Sequence, residues 1–294
     1  MTTKSSVVIG PSSRELGIKI ANLLGAEKIF VQRKKFPDGE SYIRLEKKPS
    51  NSRVIIVQTL YPQNDSVVEL KLMLDTLIEF KPFDVSLVIP YFAYQRQHKR
   101  YRTWEAISAK VIAEMFDHKH VDRVLIADVH DRILLKFFKN AETHEISAAE
   151  LIAGHFAKLR NPFVLVPDQE RGYFAKIIAE KLGCEYSWLS KHRDRVTGNI
   201  TTKIRRKFNV SGKYVILVDD VISSGKTMLN AIALVKKLGA KSVSCAASHY
   251  VPLGAEKMLK KAGAREVIAS NSIPSSIGKL DLAEEIADTL NFVI

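Results

Sequence analysis

YVILVDDVISSGKTM, residues 214–228, is the stretch that decides the fold. Residues 214–218 are a short β-branched run, the pattern of a strand buried on both faces of a parallel sheet. The run ends in two adjacent carboxylates, Asp219 and Asp220, and is followed by a polar turn of Ser223, Ser224, Gly225, Lys226 and Thr227. From 228 to 238 apolar residues return at helical spacing, at Leu229, Ile232, Ala233 and Leu238. Strand, polar turn and helix make half of a βαβ unit.

A turn of hydroxyl residues and one glycine at a helix start presents free N–H donors and the positive end of the helix dipole, which together hold a phosphate. The two acids upstream can accept hydrogen bonds from vicinal sugar hydroxyls. The combination describes a sugar phosphate. A nucleotide P-loop is excluded, because it needs glycine five residues before Gly225 and Asp220 stands there. Taken alone, the turn fits a capped helix start with a solvated acid pair equally well.

Working outward, four segments of the first half recur in the second. IANLLGAE (20–27) returns as IAEKLGCE (178–185), and VIIVQTL (54–60) as VILVDDV (215–221). DVSLVIPY (84–91) matches SVSCAASH (242–249), and DRVLIAD (122–128) loosely matches REVIASN (265–271). Such a repeat predicts an α/β protein of two similar domains, each an open parallel sheet with helices on both faces. Where the second copy has Asp219 and Asp220, the first has Gln58 and Thr59 followed by YPQND, so the sugar-phosphate pocket is expected once only.

Ligands of such sheets gather beyond the carboxyl ends of the strands, which singles out the polar residues there. FPDGE (36–40) is a polar turn after an expected strand over 28–32, readable as two solvated acids. An expected strand over 85–90 runs into Gln95, Arg96, Gln97, His98, Lys99 and Arg100, and an expected helix follows over 104–115. A forked cation beside an amide donor suits a polyphosphate and an adenine edge. A strand over 123–127 delivers Asp128, Val129 and His130. Alternation along an extended chain would point Asp128 and His130 the same way, which suits a hard divalent ion shared with phosphate oxygens. His130 as a hydrogen-bonded surface histidine is the competing reading. In the second half a strand over 164–167 ends at Asp168. Another over 185–190 ends at Lys191, His192, Arg193 and Asp194, opening a polar basic stretch to about 207. This stretch is either a solvated hairpin or a flap that neutralises charge during phosphoryl transfer.

At 294 residues the chain exceeds one comfortable core, so two domains of roughly 140 residues are expected. An apolar fraction of 46% with 26% charged residues is ordinary for a globular protein. No apolar run reaches the roughly 18 residues that cross a bilayer, and residues 1–6 lack an apolar signal core, so a cytoplasmic protein without a membrane partner is expected. Cys184 and Cys245 read as buried thiols. The formal charge of +13 is drawn partly from two basic clusters, at 96–102 and 191–207. Neither carries the interleaved aromatics of a single-strand platform, so no nucleic-acid partner is expected.

With the pieces in order, FPDGE (36–40), RQ (96–97) before a basic run, DVH (128–130), PD (167–168), K-x-R (191–193) and VDDVISSGKT (218–227) resemble ribose-phosphate pyrophosphokinases over nearly the whole chain, most of all the shorter, archaeal-type members. Simple type I phosphoribosyltransferases share only the last motif. The resemblance implies that Phe36, Asp38 and Glu40 bind ATP, from a neighbouring subunit, and that Arg96 and Gln97 contact the same nucleotide. It implies that His130 and Asp168 serve Mg²⁺ or the reacting hydroxyl, beside Asp128 as the metal candidate of the D-x-H spacing, and that Lys191 and Arg193 stabilise the transition state. Asp219 and Asp220 would hold the hydroxyls of ribose 5-phosphate, with Ser223, Ser224, Gly225, Lys226 and Thr227 on its phosphate. The expected division is 1–143 plus 284–294 for ATP and metal, 144–283 for the sugar. A dimer or higher homo-oligomer follows, because a second subunit completes the ATP site. His98, Lys136 and Lys226 depart from the family pattern, where an acid or glycines are usual. The expected reaction is Mg²⁺-dependent transfer of diphosphate from ATP to C1 of ribose 5-phosphate. A phosphoribosyltransferase and a non-catalytic regulatory homologue are the alternatives.

Overall fold

The computed structural model describes residues 5–49, 53–193, 200–203 and 208–293; the side chains of 170, 190–193 and 200–203 lie outside that description. The chain divides into two compact units, Met1–Ile146 with Ser272–Pro274 and Leu282–Ile294, and Ser147–Asn271 with Ser275–Asp281.

In the first unit β1 (Ser5–Ile9), α1 (Arg14–Leu23), β2 (Glu27–Lys35), β3 (Ser41–Leu45), β4 (Arg53–Val57), α2 (Gln63–Glu79), β5 (Asp84–Ile89), α3 (Ser108–Phe116), β6 (Arg123–Ala127) and β7 (Glu142–Ile146) follow in order. The seven strands lie in the order β3-β2-β1-β4-β5-β6-β7. All pairs are parallel except β2 with β3, which form an antiparallel edge hairpin. The β-branched runs of β1, β4 and β5 are buried on both faces, as central parallel strands must be. α2 buries Leu70, Met73, Leu74 and Leu77, one face of a 3.6-residue period, and each such side chain contributes on the order of 2 kcal/mol.

In the second unit come α4 (Ala149–Phe156), β8 (Pro162–Val166), α5 (Gly172–Leu182), β9 (Glu185–Trp188), β10 (Ser190–Arg193), β11 (Ile200–Lys203), β12 (Tyr214–Ile222), α6 (Lys226–Lys237), β13 (Ser242–Tyr250), α7 (Ala255–Lys261), β14 (Ala264–Ser270) and β15 (Gly278–Leu280). The main sheet has the order β15-β14-β13-β12-β8-β9, all parallel, and β10–β11 is a separate antiparallel hairpin. Alternation along β12 sorts its side chains. Val215 and Leu217 join the core containing Met228, Ile232 and Val235 of α6, whereas Ile216 and Val218 join the core containing α4 and α5. Cys245 sits in the first of these cores, where burial pushes its thiol up to about 12. Both cysteines are free. The last helix, α8 (Ala283–Val293), belongs to the first unit and packs on α1.

Several expected boundaries shift. β2 continues to Lys35, because pairing with β3 carries it beyond the parallel part of the sheet. The helix expected from 104 begins at Ser108; Trp104 is left-handed (φ 69°) and 96% exposed, in a turn organised by Glu105. The strand expected over 185–190 is two, β9 and β10, so Lys191 and Arg193 lie on a hairpin strand and not beyond a sheet strand.

Candidate active site

The acid pair of the second unit lies inside β12, not after it. On one side the pairing with β8 stops at Leu217, while on the other β13 pairs as far as Ile222. Asp219 and Asp220 therefore occupy the stretch of β12 that has lost its β8 neighbour, with Asp168 just past the end of β8. This is the point where the chain runs from one strand to both sides of the sheet, the crevice such folds use for ligands. Asp219 and Asp220 are 8% and 5% exposed. Asp219 Oδ1 accepts the Asp220 amide at 3.0 Å, and Arg171 Nη2 donates to Asp220 Oδ2 at 2.6 Å. Removing one partner of so buried an ion pair costs about 3–5 kcal/mol. Arg171 thus orients a carboxylate of the site, and sequence reasoning missed it, because its place in the turn after Asp168 gives no pattern.

The turn after β12 places Ser223 and Thr227 half-buried and Ser224 and Lys226 exposed. Gly225 is left-handed (φ 73°) and opens α6. A Cβ there would lie 3.0 Å from Ala255 Cβ and 3.1 Å from Met258 Cε, so the close approach of α7 and the backbone angle both require glycine. α6 then starts with its amides directed at the turn, the arrangement that binds a phosphate.

In the first unit FPDGE is the tip of the β2–β3 hairpin. Phe36 N donates to Glu40 O at 2.9 Å, Gly39 N to Phe36 O at 2.9 Å, and Glu40 N to Asp38 Oδ1 at 3.2 Å. Phe36 is half exposed and edge-on to Tyr42. The loop after β5 borders a cleft of about 350 Å³ lined by Gln63, Asn64, Tyr91, Tyr94, Gln95 and Arg96. Arg96 is exposed there, whereas the Gln97 amide turns inward, donating to Lys99 O at 3.2 Å and Glu105 Oε2 at 3.3 Å. Glu105 also accepts the amides of Tyr101 and Arg102, and these hydrogen bonds hold its carboxyl below the usual range.

Asp128 and His130 are not related by strand alternation. β6 ends at Ala127 and Asp128 is left-handed (φ 36°), so D-V-H is a turn. His130 packs against His98, with ring centroids 5.7 Å apart. His98 Nε2 lies 3.3 Å from Asp131 Oδ2, and burial depresses the His98 pKa more than that carboxylate raises it. Lys136 and Lys226, two of the departures, are both exposed.

Among the described residues no three His, Cys, Asp or Glu side chains come together as a metal cage. Asp128 and His130 share one turn, and Asp168 belongs to the other unit. A lone carboxylate with an imidazole fits a Mg²⁺ ion that arrives on phosphate oxygens and keeps its waters, which is how this ion usually binds. The side chains of Lys191 and Arg193 lie outside the described residues, as do Asp194 and residues 204–207. No described helix is long and apolar enough to cross a membrane.

A parallel α/β sheet, an acid pair at its switch point and a glycine-opened helix define a phosphoribosyltransferase-type protein, here with the scaffold duplicated. Residues 138–279 match the phosphoribosyl transferase domain, and residues 5–119 match the N-terminal domain of ribose phosphate pyrophosphokinase. The ribose-phosphate pyrophosphokinase of Sulfolobus acidocaldarius is 34% identical, over 96% of this chain and 98% of that one. The one of Pyrococcus furiosus is 36% identical, over 97% of this chain and 100% of that one. A crystal structure of phosphoribosylpyrophosphate synthetase from Mycobacterium smegmatis superposes with a TM-score of 0.86 at 27% identity, covering 99% of this chain and 98% of that one. The chain belongs to the ribose-phosphate pyrophosphokinase family.

Proposed function

We propose that this enzyme transfers the diphosphate group of ATP to the C1 hydroxyl of ribose 5-phosphate, giving AMP and 5-phosphoribosyl 1-diphosphate. The observation that carries the reading is the buried Asp219–Asp220 pair beside the Gly225-opened helix, found in a chain that matches the family from end to end. In this reading Asp219 and Asp220 accept hydrogen bonds from the ribose hydroxyls, with Asp220 held by Arg171. Ser223, Ser224, Gly225, Lys226 and Thr227 hold the 5-phosphate.

The C1 oxygen attacks the β-phosphorus in line, the bond to the oxygen bridging the α- and β-phosphorus breaks, and AMP leaves with that electron pair. The hydroxyl proton is released to solvent as the new bond forms. Such a transfer depends on alignment and charge neutralisation more than on covalent help. Arg96 and Gln97 belong to the nucleotide, Arg96 directly and Gln97 through the loop it braces. Phe36, Asp38 and Glu40 complete the nucleotide site of a neighbouring subunit, which makes the working form at least a dimer. Asp128, His130 and Asp168 are assigned to Mg²⁺ or the reacting hydroxyl. When bound, the ion neutralises phosphate oxygens. Lys191 and Arg193 neutralise charge that develops in the transition state. The setting is cytoplasmic nucleotide biosynthesis.

Mixing ATP with ribose 5-phosphate and Mg²⁺ tests the reading. AMP and 5-phosphoribosyl 1-diphosphate should appear in equal amounts. A phosphoribosyltransferase would release no AMP, and a regulatory homologue would release neither.

A further inference from the structure

The turn that carries His130 is held by its backbone. Its three consecutive amides each have an acceptor: Asp128 N donates to Ile146 O at 2.8 Å, Val129 N to Glu145 Oε1 at 3.2 Å, and His130 N to Gln95 Oε1 at 2.8 Å. The first two acceptors belong to β7, the strand paired with β6. The third comes from the opposite side, from the loop after β5, and it is a side chain. Gln95 is only 2% exposed, although it lines the cleft together with Arg96. The His130 N–H can only donate, so the carbonyl end of the Gln95 amide must face it. Asp128 sits in a left-handed backbone region that needs outside support to persist.

We propose that Gln95 is a positioning residue for the reaction: its amide oxygen fixes the His130 backbone and thereby the placement of the imidazole. The inference rests on the role given to His130 under the proposed function. Gln95 itself does not touch the reacting atoms; it links the loop of Arg96 to the turn of His130, so cleft and imidazole share one support.

Gln95→Met keeps the volume and removes the acceptor, whereas Gln95→Glu restores an oxygen at the same distance along the side chain. In the full-length enzyme Gln95→Met should lower kcat by about tenfold or more with the ribose 5-phosphate KM within about twofold, and should lower the melting temperature modestly, because the His130 amide loses its acceptor. Gln95→Glu should recover most of that loss. In a His130→Ala background Gln95→Met should cost nothing further, an interaction that a merely structural role would not show. If Gln95→Met does not fold, Gln95→Ala is read in the same way. An acceptor-less variant with more than half of the parental kcat, or a Glu variant as slow as Met, overturns the inference. An inactive His130→Ala beside an active Gln95→Met would sink this proposal alone, whereas a fully active His130→Ala would sink both it and the assignment of His130.

Discussion

The two units share one order of six parallel strands, to which the first adds the antiparallel β3, and the four internal repeats fall on matching elements: α1 with α5, β4 with β12, β5 with β13 and β6 with β14. They differ at the switch point. In the second unit β8 and β12 present Asp168, Asp219 and Asp220, with an exposed Ser224 and Lys226 in the turn beyond. In the first unit the corresponding crevice between β1 and β4 is filled by the chain itself. Gln58 accepts the Ser12 amide at 3.1 Å and donates to the buried Glu69 at 3.4 Å, while the Thr59 amide donates to the Ser13 hydroxyl oxygen at 2.7 Å and the Thr59 hydroxyl donates to Ser272 O. Gly10 permits this closure, since a Cβ there would collide with Gln58 Oε1 and lie 2.8 Å from Val57 O. One scaffold thus keeps an open acidic crevice, and its twin satisfies the same backbone positions internally. Under the proposed function the roles of the twin lie farther out, at the Arg96 loop, the His130 turn and the FPDGE hairpin.

The comparison can be broken most severely at the β10–β11 hairpin of the second unit, which stands apart from its main sheet. Lys191→Ala should raise the barrier by about 3–4 kcal/mol, a loss of several hundredfold in AMP release measured at saturating substrates. Near-normal turnover would remove the hairpin from the mechanism. At the two switch points, Asp220→Asn should raise the ribose 5-phosphate KM by about tenfold or more and leave the ATP KM within about twofold. Gln58→Ala, its positional counterpart, should leave both KM values alone and destabilise the fold by about 1–3 kcal/mol, because Ser12 N loses its buried acceptor. Steady-state kinetics and thermal melts separate the two. The mildest effect concerns Glu69, whose pKa burial raises more than the Arg33 guanidinium lowers it. A carboxyl raised in the fold stabilises most below its ordinary pKa of 4.5, and that contribution is lost as pH rises through the folded value. The melting temperature of Glu69→Gln relative to the parent should therefore be higher at pH 7 than at pH 4. The opposite trend would mean that the Arg33 pair dominates.

Much of this was legible in the sequence because it rests on local signals. Runs such as VIIV and VILV announce buried parallel strands, and their repetition announces the duplicated scaffold; the acid pair and the glycine turn sit next to such a run. Long-range contacts leave no such trace. Nothing near Asp220 points to Arg171, 49 residues away, and nothing near His130 points to Gln95, 35 residues away. The expected alternation of Asp128 and His130 failed because hydrogen bonds donated by its amides to Ile146, Glu145 and Gln95 stabilise a turn that an isolated strand would not make. The helix expected at Trp104 failed because the Glu105 carboxylate gathers the amides of Tyr101 and Arg102 into a turn before α3 can begin.

A crystal structure of the enzyme soaked with ribose 5-phosphate tests the central claim most directly. The sugar hydroxyls should lie on Asp219 and Asp220 and the phosphate on the turn opened by Gly225. Sugar density beside Gln58 and Thr59, with the second crevice empty, would contradict it.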